Sequence, residues 1–345
     1  MAISTTQARS LLTATFLKLY KEVPKPTSFL RSFFVDNIST DRYVSIEVQR
    51  GTEKFAVDVK RGTKGNSNKV TQSTEKVISP PYYSEFFGAN DLRLYDVAIG
   101  NASANNIMGL AKAMVDEAIV VRNKIERSYE KQAADVFNTG VVTLADGSVI
   151  DFGRDASMIV DVSGSNPWAT GTNNPITDII NGCKLLRTKG KAQGGVYNMI
   201  IGGTALEALI NNETFQKRGD IKDFDLATVK LGNMIPTGAA PHGMLTAGSY
   251  KIIIWSYPEY YDVSGTSTPY IDEKKFILLP PNPNFTAAYA GVPQLIENGK
   301  IQQNGKYMVS EFINKEAKSH RVSTESAGIM IPVAIDQIYT AKVVA

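Results

Sequence analysis

From Ala104 to Phe137, apolar residues fall at Ile107, Ala111, Met114, Ala118, Val121 and Ile125, in alternating steps of four and three. That spacing places them on one stripe of a helix. Arg122 with Glu126 and Lys131 with Asp135 are opposite charges one turn apart, and Thr139-Gly140 supplies a stop. At ~1.5 Å of rise per residue such a helix spans roughly 50 Å. That exceeds an ordinary globular helix, so the fold must offer it a partner along its length. The stripe lasts under three heptads, and its small residues suit packing on a sheet better than a coiled coil.

The segments before this helix have a different character. Leu11, Leu12, Thr15, Phe16, Leu19 and Tyr20 suit a short amphipathic helix within Thr5–Tyr20, ended by Val23-Pro24 and Lys25-Pro26. Phe29, Leu30, Phe33, Phe34 and Val35 follow as a cluster that requires burial, so the amino-terminal stretch reads as an arm that packs on something. From Tyr43 the period becomes two: Tyr43-Val44-Ser45-Ile46-Glu47-Val48 alternates, and a return strand runs from Val70 to Ile78 before Pro80-Pro81. Arg61 to Lys69 between them is polar and glycine-punctuated. An isolated two-stranded ribbon is marginal in water, and one this polar must lean on a neighbour. Between Arg50 and Lys76, seven basic residues (Arg50, Lys54, Lys60, Arg61, Lys64, Lys69, Lys76) face three acidic ones. The excess fits a solvated surface or, alternatively, contact with a partner's acidic face.

After the helix, Val141–Phe152 reads as a hairpin with Asp146-Gly147 at its turn. A Gly/Ser/Asn-rich linker, Ser163–Asn174, marks a subdomain boundary. Beyond it the pattern becomes α/β, with a helix over Ile176–Thr188, a strand over Tyr197–Ile201 and a helix over Ala205–Asn211. Strands over Tyr250–Tyr257 and Lys275–Leu279 follow long loops, and Lys306–Val344 reads as antiparallel strands with a turn near Lys315–Arg321. The fold class is α+β.

Composition excludes more than it selects. Of 345 residues, 43% are hydrophobic and 21% charged, and 37 basic against 34 acidic side chains leave a formal net charge of +3. That balance does not single out nucleic acid or a membrane as the main partner. The single cysteine, Cys183, permits no internal disulfide and no cysteine-based zinc site. Met1–Ser10 is polar and lacks the apolar run of a secretion signal, and Ile252–Trp255 and Ile329–Ile335 are far short of a membrane span. No catalytic, cofactor or metal residue is assigned. Gly62–Lys69 lacks the Gly-Lys-Ser/Thr ending of a phosphate loop, and Asp151-Phe152-Gly153 stands without the other kinase motifs. Gly202-Gly203 reads as a tight strand-to-helix turn, and His242 and His320 have no metal-ligand spacing.

The order arm, basic hairpin, long helix, β-hairpin, α/β unit, closing strands resembles the capsid subunit of tailed bacteriophages, the Hong Kong ninety-seven-type fold. Four stretches carry a resemblance to the major capsid protein E family, whose type member is the phage lambda major head protein. Phe29-Leu30-Arg31-Ser32-Phe33-Phe34 with Thr40–Val48 looks like the family's arm entering the extended loop. Val59-Lys60-Arg61-Gly62 through Pro80-Pro81 looks like that loop and its return. Tyr197–Gly202 resembles the axial-domain core, and Ser326–Pro332 the carboxyl end.

The resemblance implies an arm at 1–44, an extended loop at 45–81, a peripheral domain at 82–165 and 300–345 containing a spine helix at 104–137, and an axial domain at 166–299. It implies a shell subunit, not an enzyme, that forms pentamers and hexamers and encloses double-stranded DNA through weak, non-specific contacts. Lys54, Lys60, Arg61, Lys64 and Lys69 would contact the adjacent subunit, and Phe29, Leu30, Phe33 and Phe34 would pack the arm. Loops within Thr237–Leu245 or Ser256–Tyr270 would meet around the symmetry axes. A separate scaffolding protein and a portal protein are the implied partners, with a decoration protein as a further candidate. No cofactor and no membrane are implied, and the place of action is the virion, assembled in the host bacterial cytoplasm. Some relatives crosslink a loop lysine to an asparagine; Lys60, Lys64 and Lys69 lie in the matching loop, with no acceptor identified. The alternative on the same fold is an encapsulin-type compartment.

Overall fold

The computed structural model describes residues 26–49, 73–89, 105–144, 147–165, 167–170, 173–219, 238–263, 265–295, 301–303, 305–314 and 319–345. The expected helix at Thr5–Tyr20 and the loop residues Lys54 to Lys69 lie outside these. Helix α1, Asn105–Asn138, is the long element expected from the apolar stripe. Both predicted ion pairs form along it, Arg122–Glu126 at 4.0 Å and Lys131–Asp135 at 2.7 Å. Gly140, with φ 78°, ends it in the left-handed conformation that glycine adopts without strain.

Two sheets organise the chain. The first runs Val35–Ile38, Thr286–Ala290, Ser319–Ile331, Met308–Asn314, and Tyr82–Ala89 also pairs with the long strand Ser319–Ile331. The second has six strands in the order Ile159–Asp161, Tyr339–Lys342, Lys275–Leu279, Val196–Ile201, Tyr250–Ser256, Ala240–Ala247. The tail thus contributes Met308–Ile331 to one sheet and Tyr339–Lys342 to the other. Strands 159–161 and 339–342, which the sequence division groups with the peripheral segment, are hydrogen-bonded into the six-stranded sheet.

Alternation within the six-stranded sheet explains its nearly continuous apolar runs. Ile200, Ile277 and Leu279 face the core around α1, whereas Met199, Ile201, Phe276 and Leu278 face a second core. A sheet covered on both faces needs apolar residues at consecutive positions. The second core is closed by helices α2 (Pro175–Thr188) and α3 (Gly203–Asn211), with the short α4 (Glu213–Gly219) after them. Asn174 caps α2 by accepting the Ile176 N–H, and Pro175 opens its first turn. The linker before it is anchored: Trp168 is fully buried, stacks on Phe276 at 5.0 Å and donates its Nε1–H to Asp178 at 2.8 Å.

The expected hairpin over Val141–Phe152 appears as Val141–Thr143 against Val149–Asp151. The ribbon Val44–Gln49 pairs with Ser73–Ile78 in the register Val44 opposite Ile78. Its base does find a support within the chain: Ile78, with Val44 beside it, packs on Ala288, Ile329 and Ile331.

Several strands escape the sequence pattern. Ala240–Ala247, expected largely as loop, is an edge strand against Tyr250–Ser256 with a register shift between Ile254 and Trp255. Pro241 and Gly243 (φ 117°) hide it from periodicity, and both are tolerated because the strand has a bulge and, among the described residues, no second neighbour. The stretch Ser256–Tyr270 holds a ribbon, Tyr260–Val263 against Thr266–Pro269, turning at Gly265. Thr286–Ala290 is rich in alanine, a poor strand former, because it is buried between neighbouring strands and packed from both faces.

At Gly328 the first sheet leaves no room for a side chain beneath Tyr129 of α1. A Cβ there would sit 2.7 Å from the Tyr289 ring and 2.8 Å from the Tyr129 hydroxyl. Gly328→Ala is therefore expected to lower stability by about 1–3 kcal/mol, read as a reduced urea midpoint with an unchanged slope.

Candidate functional site

The amino-terminal segment is the part of the predicted contact machinery that the structure describes. Phe29, Leu30 and Phe34 are buried and Phe33 is half-buried against the same core, whereas Val35, expected to be buried with them, opens the strand Val35–Ile38 and is exposed. Phe34 stacks on Phe137 of α1 at 5.6 Å and meets Phe285 at 5.3 Å, while Phe29 lies 5.7 Å from Trp255 and 5.5 Å from Tyr257. These rings therefore seat the segment on the chain's own helix and on both sheets.

Polar groups hold the same segment from below. Glu130 of α1 is fully buried, and its Oε1 accepts the Leu30 N–H at 2.8 Å and the Tyr257 hydroxyl at 2.8 Å. Its Oε2 accepts the Arg31 N–H at 3.0 Å. Burial pushes this carboxyl up to about 7, although all three donors and the Arg31 charge pull it down. The Tyr257 hydroxyl is also hydrogen-bonded to Thr27 Oγ1.

Arg31 turns its guanidinium the other way. It donates to Glu126 at 3.1 Å, to Asp36 at 3.0 Å and to the Tyr289 hydroxyl at 3.2 Å. Lys306 completes the group, 3.3 Å from Asp36 and 5.1 Å from the Tyr289 ring centre. One cluster thereby joins the arm, α1 and the carboxyl-terminal hairpin. With Arg31 and Glu126 only 14% and 16% exposed, this ion pair is screened far less than a surface pair.

Two further side chains finish what the strands leave undone. The pairing of Ser319–Ile331 with Tyr82–Ala89 stops at Ala327. Past that point Gln132 takes over: its Oε1 accepts the Met330 N–H at 3.1 Å and its Nε2 donates to the Gly328 carbonyl at 3.3 Å. Arg154 donates to the Phe137 carbonyl at 3.0 Å and to Thr340 Oγ1 at 2.7 Å, clamping the last turn of α1 to the six-stranded sheet. Burial lowers its pKa to about 10, against the opposing pull of Asp336. Periodicity signalled none of Glu130, Gln132 or Arg154, because each reads as an ordinary polar surface residue. The one available hint was that Glu130 and Gln132 fall in the most aromatic and alanine-rich part of the helix, near Tyr129, Ala133, Ala134 and Phe137.

The chemistry on offer is that of contacts. Among the described residues, no three His, Cys, Asp or Glu side chains gather as a metal site, and no helix is long and apolar enough to cross a membrane. His242 Nε2 lies 2.7 Å from Ser256 Oγ, with no carboxylate on the other ring nitrogen among the described residues. Large apolar side chains instead stand exposed around the ribbon base and arm, with Val35 71%, Val77 61% and Tyr82 57% exposed. Lys54, Lys60, Arg61, Lys64 and Lys69 lie outside the described residues, so this structure does not bring them together.

Two solved structures share the architecture. One, described as a prophage capsid protein of E. coli CFT073, superposes with a TM-score of 0.63 at 17% identity, covering 100% of each chain. The other, a phage-related protein of Bordetella bronchiseptica RB50, gives 0.52 at 12% identity over 96% of each chain. The long helix, appended ribbon and two linked sheets are thus the Hong Kong ninety-seven-type capsid fold. The model of the family described as phage major capsid protein E matches residues 13–343, and the chain belongs to that family. No curated protein matches it by sequence.

The Arg31 cluster gives a direct test. Arg31→Ala takes from Glu126 its close ion pair, leaving Arg122 at 4.0 Å, and leaves Asp36 to Lys306, and should lower stability by about 2 kcal/mol. Arg42→Ala removes a guanidinium that merely lies 5.4 Å from the exposed Tyr43 ring, and should stay within ~0.5 kcal/mol. Denaturant titration of both variants checks the contrast.

Proposed function

We propose that this chain is the shell subunit of a tailed phage, assembling as pentamers and hexamers into an icosahedral capsid that encloses double-stranded DNA. The observation that carries this reading is the family match over residues 13–343. The subunit works mechanically and not as an enzyme. Its products are contacts.

Physical features of the chain support the assignment. The ribbon 45–81 is basic, and its base sits on the outer face of the first sheet beside exposed Val77 and Tyr82. Exposed apolar side chains gathered around one element favour burial against another surface. Lys54, Lys60, Arg61, Lys64 and Lys69 would then meet acidic groups of the adjacent subunit and set register more than affinity. Phe29, Leu30, Phe33 and Phe34 anchor the root of the arm, whose residues 1–26 would reach beyond the body. The domain assignment that follows is arm 1–44, extended loop 45–81, peripheral domain 82–165 and 300–345, and axial domain 166–299, with strands 159–161 and 339–342 completing the axial sheet. Partners would be a separate scaffolding protein, a portal protein and, on the outer surface, a decoration protein. DNA contact would be weak and independent of sequence, given the near-balanced net charge of +3. Assembly would take place in the bacterial cytoplasm and end in the virion.

Electron microscopy of the protein expressed alone and with its scaffolding protein tests the reading. Closed shells or rings of five and six subunits are expected. Reversing Lys60, Arg61, Lys64 and Lys69 together to Glu should abolish shells while leaving the circular dichroism spectrum of the subunit unchanged. A stable monomer or dimer under every condition would refute the shell function, and normal shells from the reversed variant would refute the role of the loop charges.

A further inference from the structure

Glu130 is a carboxylate buried in the main core, and among the described residues its bonded partners include no cation. Arg31 gives Glu130 only its backbone N–H and spends its guanidinium on Glu126, Asp36 and Tyr289. All direct partners of Glu130 are neutral: two backbone N–H groups of the arm and the hydroxyl of Tyr257. An ionised carboxylate in that setting keeps its hydrogen bonds but retains a desolvation penalty that these bonds and the more distant Arg31 charge offset only in part.

The Tyr257 hydroxyl sits between Glu130 Oε1 and Thr27 Oγ1, hydrogen-bonded to both. Either member of the Thr27–Tyr257 pair can donate. This allows two complete proton arrangements on one set of heavy atoms. With Glu130 ionised, Thr27 donates to Tyr257 and Tyr257 donates to Glu130. With Glu130 protonated, the chain reverses: the new O–H on Oε1 donates to Tyr257, and Tyr257 donates to Thr27. The Leu30 N–H keeps a lone pair on Oε1, and the Arg31 N–H keeps Oε2. One proton is taken from solvent, no hydrogen bond is lost, and the buried charge disappears. Without a rotatable hydroxyl backed by a second acceptor, the added proton would have no partner.

We propose that Thr27, Tyr257 and Glu130 form a proton-reversible latch that docks the segment Thr27–Phe34 on α1 more tightly in mild acid than above neutrality. An acid whose docked pKa, here about 7, exceeds its ordinary value of 4.5 binds its proton more firmly when docked. Docking is therefore strongest below the ordinary value and weakens as pH rises through the docked one. The other ionisable groups around the latch are Glu126 and Arg127 on its own helix, Arg31 on the arm, and Tyr257, Tyr270 and Glu259 on the segment after strand Tyr250–Ser256. Burial pushes both tyrosines upward, away from neutrality. The latch acts at the root of the arm, so it sets how firmly residues before Thr27 are tethered to the body.

Amide hydrogen exchange on the full chain reads docking at Leu30 and Arg31, whose N–H groups are the ones bonded to Glu130. After correction for intrinsic exchange, their protection should fall about tenfold between pH 5.5 and 7. Glu130→Gln, a permanently neutral mimic, should hold protection constant over that range. Thr27→Val removes the acceptor that the protonated arrangement needs, so its slope should be shallower than that of the natural chain. Protection that is flat or rises with pH in the natural chain would overturn the latch, as would an undiminished slope in Glu130→Gln. A slope in Thr27→Val equal to that of the natural chain would overturn the proton relay. Should Glu130→Gln fail to fold, the natural chain and Thr27→Val decide between these outcomes.

Discussion

Placing Glu130 inside the main core carries a desolvation penalty that only well-aimed donors offset, and those donors come from segments more than ninety residues away in sequence. The arm supplies two N–H groups and the segment after strand Tyr250–Ser256 supplies a hydroxyl. Each would otherwise be a buried polar group needing a partner. The carboxylate is thus the point at which arm, long helix and α/β unit must all be in place together. Phe29, Phe34, Phe137 and Phe285 pack in the core that receives the same arm, and Glu130 is fully buried. Remove the docking of any one element and the others lose both apolar cover and hydrogen bonds.

The rest of the architecture transmits that constraint. Gln132, two residues along α1, continues the hydrogen-bonding edge of the first sheet where a neighbouring strand has ended. Arg154 binds the end of the helix to Thr340, in a strand of the other sheet. The tail enters both sheets, so the chain from Ser319 to Lys342 links them directly. For a subunit that must bear load in a shell, a helix tied at intervals to both sheets resists shear better than one resting on an apolar face. Around the ribbon base and the root of the arm, Val35, Val77 and Tyr82 stand in solvent.

Much of the fold was legible in the residues because periodic burial leaves a periodic trace. The stripe from Ile107 to Ile125 announced α1, and the largely apolar runs Tyr197–Ile201 and Lys275–Leu279 announced strands, which the fold then covers on both faces. The aromatic cluster Phe29 to Phe34 announced a buried segment. Strands built from small or turn-forming residues left no such trace. Thr286–Ala290 owes its state to neighbours on either edge, and Ala240–Ala247 to a place at the edge of the described sheet that tolerates Pro241. The candidate site divided in the same way. Its aromatic half was readable, whereas its polar half was not, since a buried Glu or Gln has the same letter as an exposed one.

Sequence alone therefore determined the element order, the long helix and its ion pairs, the basic character of the ribbon and the resemblance to a capsid family, all of which rest on local spacing or on composition. Tertiary structure decided which faces those elements share. It enclosed the second half of α1 on several sides, so that Tyr129, Glu130, Gln132 and Ala133 are all buried though they cannot lie on one stripe. It also sent the last strand into a different sheet from its predecessor. The physical reason is the same in both cases. A hydrogen bond or a desolvation penalty depends on groups brought together by folding, and no window of neighbouring residues contains them.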